Sequence, residues 1–122
     1  MIKTSDFLFK YLVEKHGITD VFLVTGGGAM HLNDSIGRNP DIRYICNHHE
    51  ASAIAAEGYY RASGKLCVTN VTTGPGGTNA VTGVLGQWTD SIPAIYISGQ
   101  VKQSTTIHAC PDLHLRQLGD QE

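Results

Sequence analysis

A doubly wound α/β fold with a mostly parallel sheet is predicted by three features of this chain. Short apolar runs of strand length alternate four times with stretches of helical period. The run at residues 21–24, VFLV, is continuously apolar, as expected where helices cover both faces of a sheet. The runs also end in polar or glycine-rich turns that open the next helix, the usual grammar of parallel strands joined by crossovers.

In order, Thr4 or Ser5 can cap a first helix, with Phe7, Leu8, Tyr11 and Leu12 at helical spacing and Gly17 as its stop. Strand 21–24 leads into the turn Thr25-Gly26-Gly27-Gly28 and a short helix over 29–36. After the turn at Asn39-Pro40-Asp41, a second strand is expected over 42–46. An Ala-rich helix follows Glu50 and stops at Ser63-Gly64. The third strand is expected over 66–71 and a tight glycine-rich loop over 72–79. The next helix spans 79–88, where Gly83 and Gly86 weaken it unless they allow close packing. The fourth strand spans 92–98, with Pro93 near its start, where a missing N–H costs least.

Beyond Gly99 the pattern breaks down. Residues 100–122 are polar, contain histidine and show no clear period, so no core element is expected there. A domain seldom ends on so long an undocked stretch, so residues 1–122 read as an incomplete fragment with about four strands.

Composition narrows the function. With 41% hydrophobic and 16% charged residues and a formal net charge of −2, the 122 residues describe a soluble globular protein. The charge gives no nucleic-acid footprint, and no apolar run approaches a membrane span. Residues 1–6 lack the apolar core of a signal peptide. Cys46, Cys67 and Cys110 are odd in number and widely spaced, which reads as reduced cysteine in a cytoplasmic protein.

Several motifs are absent. Neither glycine cluster has the G-x-G-x-x-G spacing of a dinucleotide site, since Gly26 and Gly28 lead to His31 and Gly74 and Gly76 to Asn79. Residues 58–65 miss the P-loop spacing, and Leu66 stands where Ser or Thr is needed. The six histidines make no zinc pattern, so no metal ligands are assigned. Three loops remain, at 25–28, 47–50 and 72–79, and a parallel sheet brings all of them to one edge, where ligands bind. Glycines there let backbone approach a ligand closely, although tight βα turns favour glycine anyway. Glu50 combines a strand end, a helix start and apolar neighbours, which suits an acid with a raised pKa. Its alternative role is to favour the helix dipole.

Taken together, Asn47-His48-His49-Glu50, Ala56-Glu57-Gly58-Tyr59-Tyr60-Arg61-Ala62-Ser63-Gly64-Lys65, Thr73-Gly74-Pro75-Gly76-Gly77-Thr78-Asn79, Asp90-Ser91-Ile92-Pro93 and Ser98-Gly99-Gln100 resemble the N-terminal pyrimidine-binding domain of thiamine diphosphate enzymes. The likeness is to the acetolactate synthase-like branch and covers nearly the whole chain in order. It implies the thiamine diphosphate-binding fold, a six-stranded doubly wound sheet of which this chain supplies about two-thirds. It also implies that Glu50 is catalytic: it hydrogen-bonds N1′ of the aminopyrimidine and shares a proton, so that C2 of the thiazolium can be deprotonated and add to a 2-oxo acid. By the same resemblance Gly26, Gly27, Gly28, Thr73, Gly74, Pro75 and Asn79 line the aminopyrimidine pocket, and Gln100 and Gln121 face the substrate. The implied function is decarboxylation of a 2-oxo acid and ligation of the product to a carbonyl acceptor. The implied partner is a second copy of the parent chain, with the cofactor between the two.

Three departures accompany the resemblance. Glu50 and Glu57 are seven residues apart where many relatives have eight, and one residue fewer turns a helix by about 100°. Gly26 stands where synthases commonly have Pro. The Gly-Asp-Gly…Asn motif that holds Mg²⁺ and diphosphate is missing, and Gly119-Asp120-Gln121 does not supply it, so Mg²⁺ would bind through a separate diphosphate-binding domain. A decarboxylase or lyase of the same family, and a non-catalytic flavodoxin-like binding module, are the alternatives.

Overall fold

The structure is a computed structural model that describes residues 1–48 and 51–110. Helix α1 (Thr4–His16) leads to β1 (Asp20–Val24), a 3₁₀ turn (Gly27–Ala29), α2 (Met30–Arg38) and β2 (Arg43–Cys46). Then come α3 (Ala51–Ser63), β3 (Val68–Val71), the short α4 (Pro75–Thr78), α5 (Val81–Thr89) and β4 (Ile95–Ser98). The four strands form one sheet in the order β2-β1-β3-β4. All three pairings are parallel, with Phe22 opposite Ile45 on one side and Thr69 on the other. The chain leaves β1 toward β2 and then crosses back to β3, so the topological switch point lies between β1 and β3.

Side-chain alternation along the strands divides the core. Val21, Leu23 and Val68 pack with Phe9, Leu12, Ile18 and Ile36 on the α1 and α2 side. Phe22 and Cys67 pack with Ala56, and Val71 with Ala53 and Ala80, on the α3 and α5 side. Burial of a side chain such as Phe9 or Val21 contributes about 1.5–3 kcal/mol. Two glycines stop helices in the left-handed conformation: Gly17 (φ 64°) after α1 and Gly64 (φ 69°) after α3. The Gly17 N–H returns to the Val13 carbonyl at 3.0 Å, which satisfies an orphan acceptor of the last turn.

At the amino edge, the Asp20 carboxylate is buried and gathers three elements. It accepts from Arg43 Nε of β2 at 2.6 Å, Tyr59 Oη of α3 at 2.8 Å and Thr19 Oγ1 at 2.9 Å. Burial alone would push its pKa up; those hydrogen bonds and the Arg43 charge outweigh it and leave the pKa lowered.

The structure corrects several local expectations. Neither Thr4 nor Ser5 caps α1; Lys3 holds the cap position without a side-chain bond, and Ser5 Oγ instead accepts from Ser35 of α2 at 2.8 Å. Phe7 and Tyr11 are exposed and stack on each other, while Phe9 is fully buried. Pro93 precedes β4, which starts at Ile95. A helical turn, α4, interrupts the loop at 72–79. The stretch after Gly99 also docks in part: it makes a 3₁₀ turn (Gln103–Thr105), and Val101, Thr106 and Cys110 are buried.

Candidate functional site

The carboxyl edge of the sheet is built by four loops that leave their strands at one level. Asn47 N–H donates to the Leu23 carbonyl at 2.9 Å, Thr72 N–H to Val24 at 3.1 Å, and Gly99 N–H to Val71 at 2.8 Å. Each bond carries the ladder one residue past the strand end and fixes where the loop begins. The loops after β1 and β3 flank the switch point, where open α/β sheets bind their ligands.

These loops interlock through glycine. A Cβ at Gly26 would lie 2.6 Å from Thr72 Cβ, and one at Gly28 would lie 2.5 Å from Thr73 Cγ2. Gly76 meets Thr72 Cγ2 at 2.7 Å by the same construction, and a Cβ at Gly99 would press on the Gly28 carbonyl, 2.7 Å from Ala29 N. Three of the four loops therefore touch where a side chain would separate them. Gly27 differs, since a Cβ there meets nothing within 4 Å. Gly74 adopts φ 66° and ψ −125°, a conformation that favours glycine, and Pro75 follows at the first position of α4.

Polar groups line the same edge. Thr73 Oγ1 donates to Gln100 Oε1 at 3.4 Å, and that oxygen also accepts from Val101 N–H at 2.8 Å. Asn79 N–H closes onto the Pro75 carbonyl at 3.0 Å. The structure thus joins Thr73 to Gln100 and brings the 25–28 turn against them. Glu50 and Gln121 lie outside the described residues. Around Glu50, Ala51 N–H donates to the His48 carbonyl at 3.1 Å. Asn47 Oδ1 and Ser52 Oγ are both buried with no hydrogen-bond partner. Asn47, Thr72 and Gly99 stand in the loops and motifs read from the sequence but were not assigned there to the site. Their positions, each one step past a strand, were the available signal.

Glu57 is engaged elsewhere: its Oε1 pairs with Arg61 at 2.8 Å, and Arg61 also pairs with Asp90. Tyr96 of β4 has its pKa pushed up to about 12, first by burial and then by the Glu57 charge. Gln87 and Thr69 lie close enough to Tyr96 to oppose that rise, yet its hydroxyl completes no hydrogen bond of normal geometry.

Two larger crevices, of about 390 and 440 Å³, lie beside α1 and α2 away from these loops. A smaller one, about 130 Å³, is lined by Thr25, Asn33, Tyr44 and Cys46 and abuts the carboxyl edge. Chemistry takes precedence over size here, because the larger crevices do not contain the switch-point loops. Among the described residues no group of three His, Cys, Asp or Glu is placed to hold a metal ion. No described helix is long and apolar enough to cross a membrane.

The sequence model for the thiamine pyrophosphate enzyme N-terminal TPP binding domain matches residues 2–119. The chain belongs to this family. Its parallel sheet and switch-point loops are the architecture of such a domain. Acetolactate synthase 2, chloroplastic, of Nicotiana tabacum is 43% identical over 100 residues, covering 81% of this chain and 15% of that protein. The acetolactate synthase large subunit of Haemophilus influenzae is 44% identical over 86 residues, 70% of this chain and 15% of that protein. The Arabidopsis thaliana acetolactate synthase, chloroplastic, is 40% identical over 100 residues, again 81% and 15%. The chain thus spans about 15% of the length of the curated relatives it matches.

The residues present fit the pyrimidine end of thiamine diphosphate. The buried, unpartnered Asn47 Oδ1 is an acceptor of the kind an exocyclic amine satisfies, and open space over Gly27 lets a flat ring approach backbone.

Proposed function

We propose that this chain is the pyrimidine-binding half-site of a longer thiamine diphosphate enzyme, acetolactate synthase-like in activity. Its reaction decarboxylates a 2-oxo acid and joins the product to a carbonyl acceptor. The observation that carries the reading is the family match across residues 2–119, together with the loops meeting at the β1–β3 switch point.

In this reading Gly26, Gly27 and Gly28 on one side and Thr73, Gly74, Pro75 and Asn79 on the other hold the aminopyrimidine. Glu50 is the catalytic acid and shares a proton with the ring nitrogen N1′; Asn47 Oδ1 accepts from the exocyclic amine. Gln100 and Gln121 face the substrate. Bound thiamine diphosphate supplies the electron sink for loss of carbon dioxide. The Mg²⁺ and diphosphate contacts come from a separate domain of the parent, a second copy of the parent completes the site, and the protein works in the cytoplasm. Among the described residues the crevice that abuts the carboxyl edge is small, about 130 Å³, which supports a half-site rather than a closed pocket.

The test is hydrogen–deuterium exchange at C2 of thiamine diphosphate bound to the parent enzyme. Glu50→Gln keeps the shape and removes the shareable proton, so exchange should slow by roughly 10²–10⁴-fold. Glu57→Gln is the control, because the Glu57 carboxylate is already held by Arg61. If Glu57→Gln slows exchange and Glu50→Gln does not, the seven-residue spacing has moved the catalytic role and the assignment fails.

A further inference from the structure

Ala53, in the first turn of α3, is held twice by α5. Gly83 packs so closely on it that an added Cβ would lie 3.1 Å from the Ala53 carbonyl carbon. One turn further along α5, Gln87 Nε2 donates to the Ala53 carbonyl oxygen at 2.9 Å, and both residues are buried. The carbonyl does not need this bond. Within α3 (Ala51–Ser63) it accepts from the Glu57 N–H by the ordinary i to i+4 pattern. Packing does not need the amide either. Gln87 is 2% exposed, and its Oε1 is buried without a hydrogen-bond partner. Such an acceptor costs stability, and an apolar side chain of similar length, such as Met, would avoid that cost. What the amide supplies is direction. The Gly83 contact sets how near α3 lies to α5, and the Gln87 bond restrains the roll of α3 about its own axis.

We propose that Gln87 is a positioning residue: by holding the Ala53 carbonyl it fixes the first turn of α3 and so aims Glu50, the acid that precedes this turn, at the pyrimidine site. The inference deepens the functional reading above and rests on it for the role of Glu50. Ala53 follows Glu50 by three residues, and Asn47, whose N–H is tied to the Leu23 carbonyl, precedes it by three. The chain is therefore anchored on both sides of the acid, to β1 before it and to α5 after it. Magnitude shows why the second anchor matters. A side-chain end about 5 Å from a helix axis moves by about 0.9 Å when the helix rolls by about 10°. A misplacement of about 1 Å can slow a reaction by roughly 10²-fold.

The experiment compares wild type, Gln87→Met and Glu50→Gln in the full-length enzyme by two measurements. The first is peptide-resolved amide hydrogen exchange without cofactor. Met fills a similar volume and removes the unpartnered acceptor, so Gln87→Met should fold. Its amides in the first two turns of α3 should exchange at least about 5-fold faster, while those of α1 stay as in wild type. The second is hydrogen–deuterium exchange at C2 of bound thiamine diphosphate. In Gln87→Met it should slow by about 10-fold or more at saturating cofactor. Cofactor affinity should change by less than about 3-fold, as for a contact that matters to the chemical step and not to binding. If Gln87→Met fails to fold, Gln87→Leu replaces it with the same expectation. Faster amide exchange throughout the protein with an unchanged C2 rate makes Gln87 a core residue alone and overturns the proposal. Glu50→Gln separates the two failures. If it leaves C2 exchange unchanged, the functional reading and this proposal fall together. If it slows C2 exchange and Gln87→Met does not, only the proposal falls.

Discussion

Thr72 occupies the space that a side chain at Gly26 would need. A β-carbon built on Gly26 falls 2.6 Å from Thr72 Cβ and 2.7 Å from its Cγ2, and both atoms are held by a β-branched side chain with little freedom to turn away. Gly26 has φ 168°, an extended conformation any residue adopts, so the constraint is steric alone.

Gly26→Ala should therefore destabilise the fold by about 1–3 kcal/mol, the usual cost of overpacking. Thr72→Gly in the same molecule, which removes the Cβ that Thr72→Ala would leave 2.6 Å away, should offset part of that loss. A double-mutant cycle by denaturant unfolding reads the coupling. An unchanged unfolding midpoint for Gly26→Ala would mean that the two loops have slack.

Gly83→Ala sets two effects of opposite sign against each other. Helix propensity favours Ala over Gly by about 1 kcal/mol in mid-helix. Contact favours glycine, because the added methyl would press on Ala53, 3.3 Å from its Cα. Overpacking typically costs 1–3 kcal/mol, so the net change should be a lower melting temperature. A higher one would show that α3 and α5 can separate at little cost.

Asp20 ties β1, β2 and α3 together, and its stabilisation depends on pH. Its folded pKa is lowered, so the unfolded chain binds the proton more readily. The contribution is present above the unfolded carboxylate value, about 3.9, and is lost as pH falls through the lower folded value. Asp20→Asn should cost about 1–3 kcal/mol at neutral pH, limited by the largely exposed Arg43. The gap between wild type and variant should shrink below about pH 4. A gap that stays constant down to pH 2 would assign the effect to packing instead of charge.

The thiols should separate by environment. Burial, then the Asp20 charge, push the Cys67 pKa up to about 11, whereas Cys46 is exposed at the end of β2. Alkylation at pH 8 should modify Cys46 first and Cys67 at least about 100-fold more slowly, since only the thiolate reacts. Mass spectrometry of peptides resolves the two sites. Comparable rates would mean that α3 opens readily over β3.

Much of this protein was legible from local pattern. Continuous apolar runs, helical spacing and stop signals such as Gly17 and Gly64 act within one turn or one strand, so they disclosed the alternation of strands and helices and the parallel class. Ordered motifs from Asn47 to Gln100 were enough to place the chain in its family. Tertiary structure decided what lies across from each residue. Spacing could not say that Phe9 is buried while Phe7 and Tyr11 face water, because all three satisfy an apolar pattern and only the position of α2 and the sheet separates them. Nor could it say that Gly26 and Gly28 accommodate Thr72 and Thr73, residues more than 40 positions away. The order β2-β1-β3-β4, which puts those loops beside one another, is a long-range choice. It is made by which apolar faces cover which, and chain-local periodicity carries no record of it.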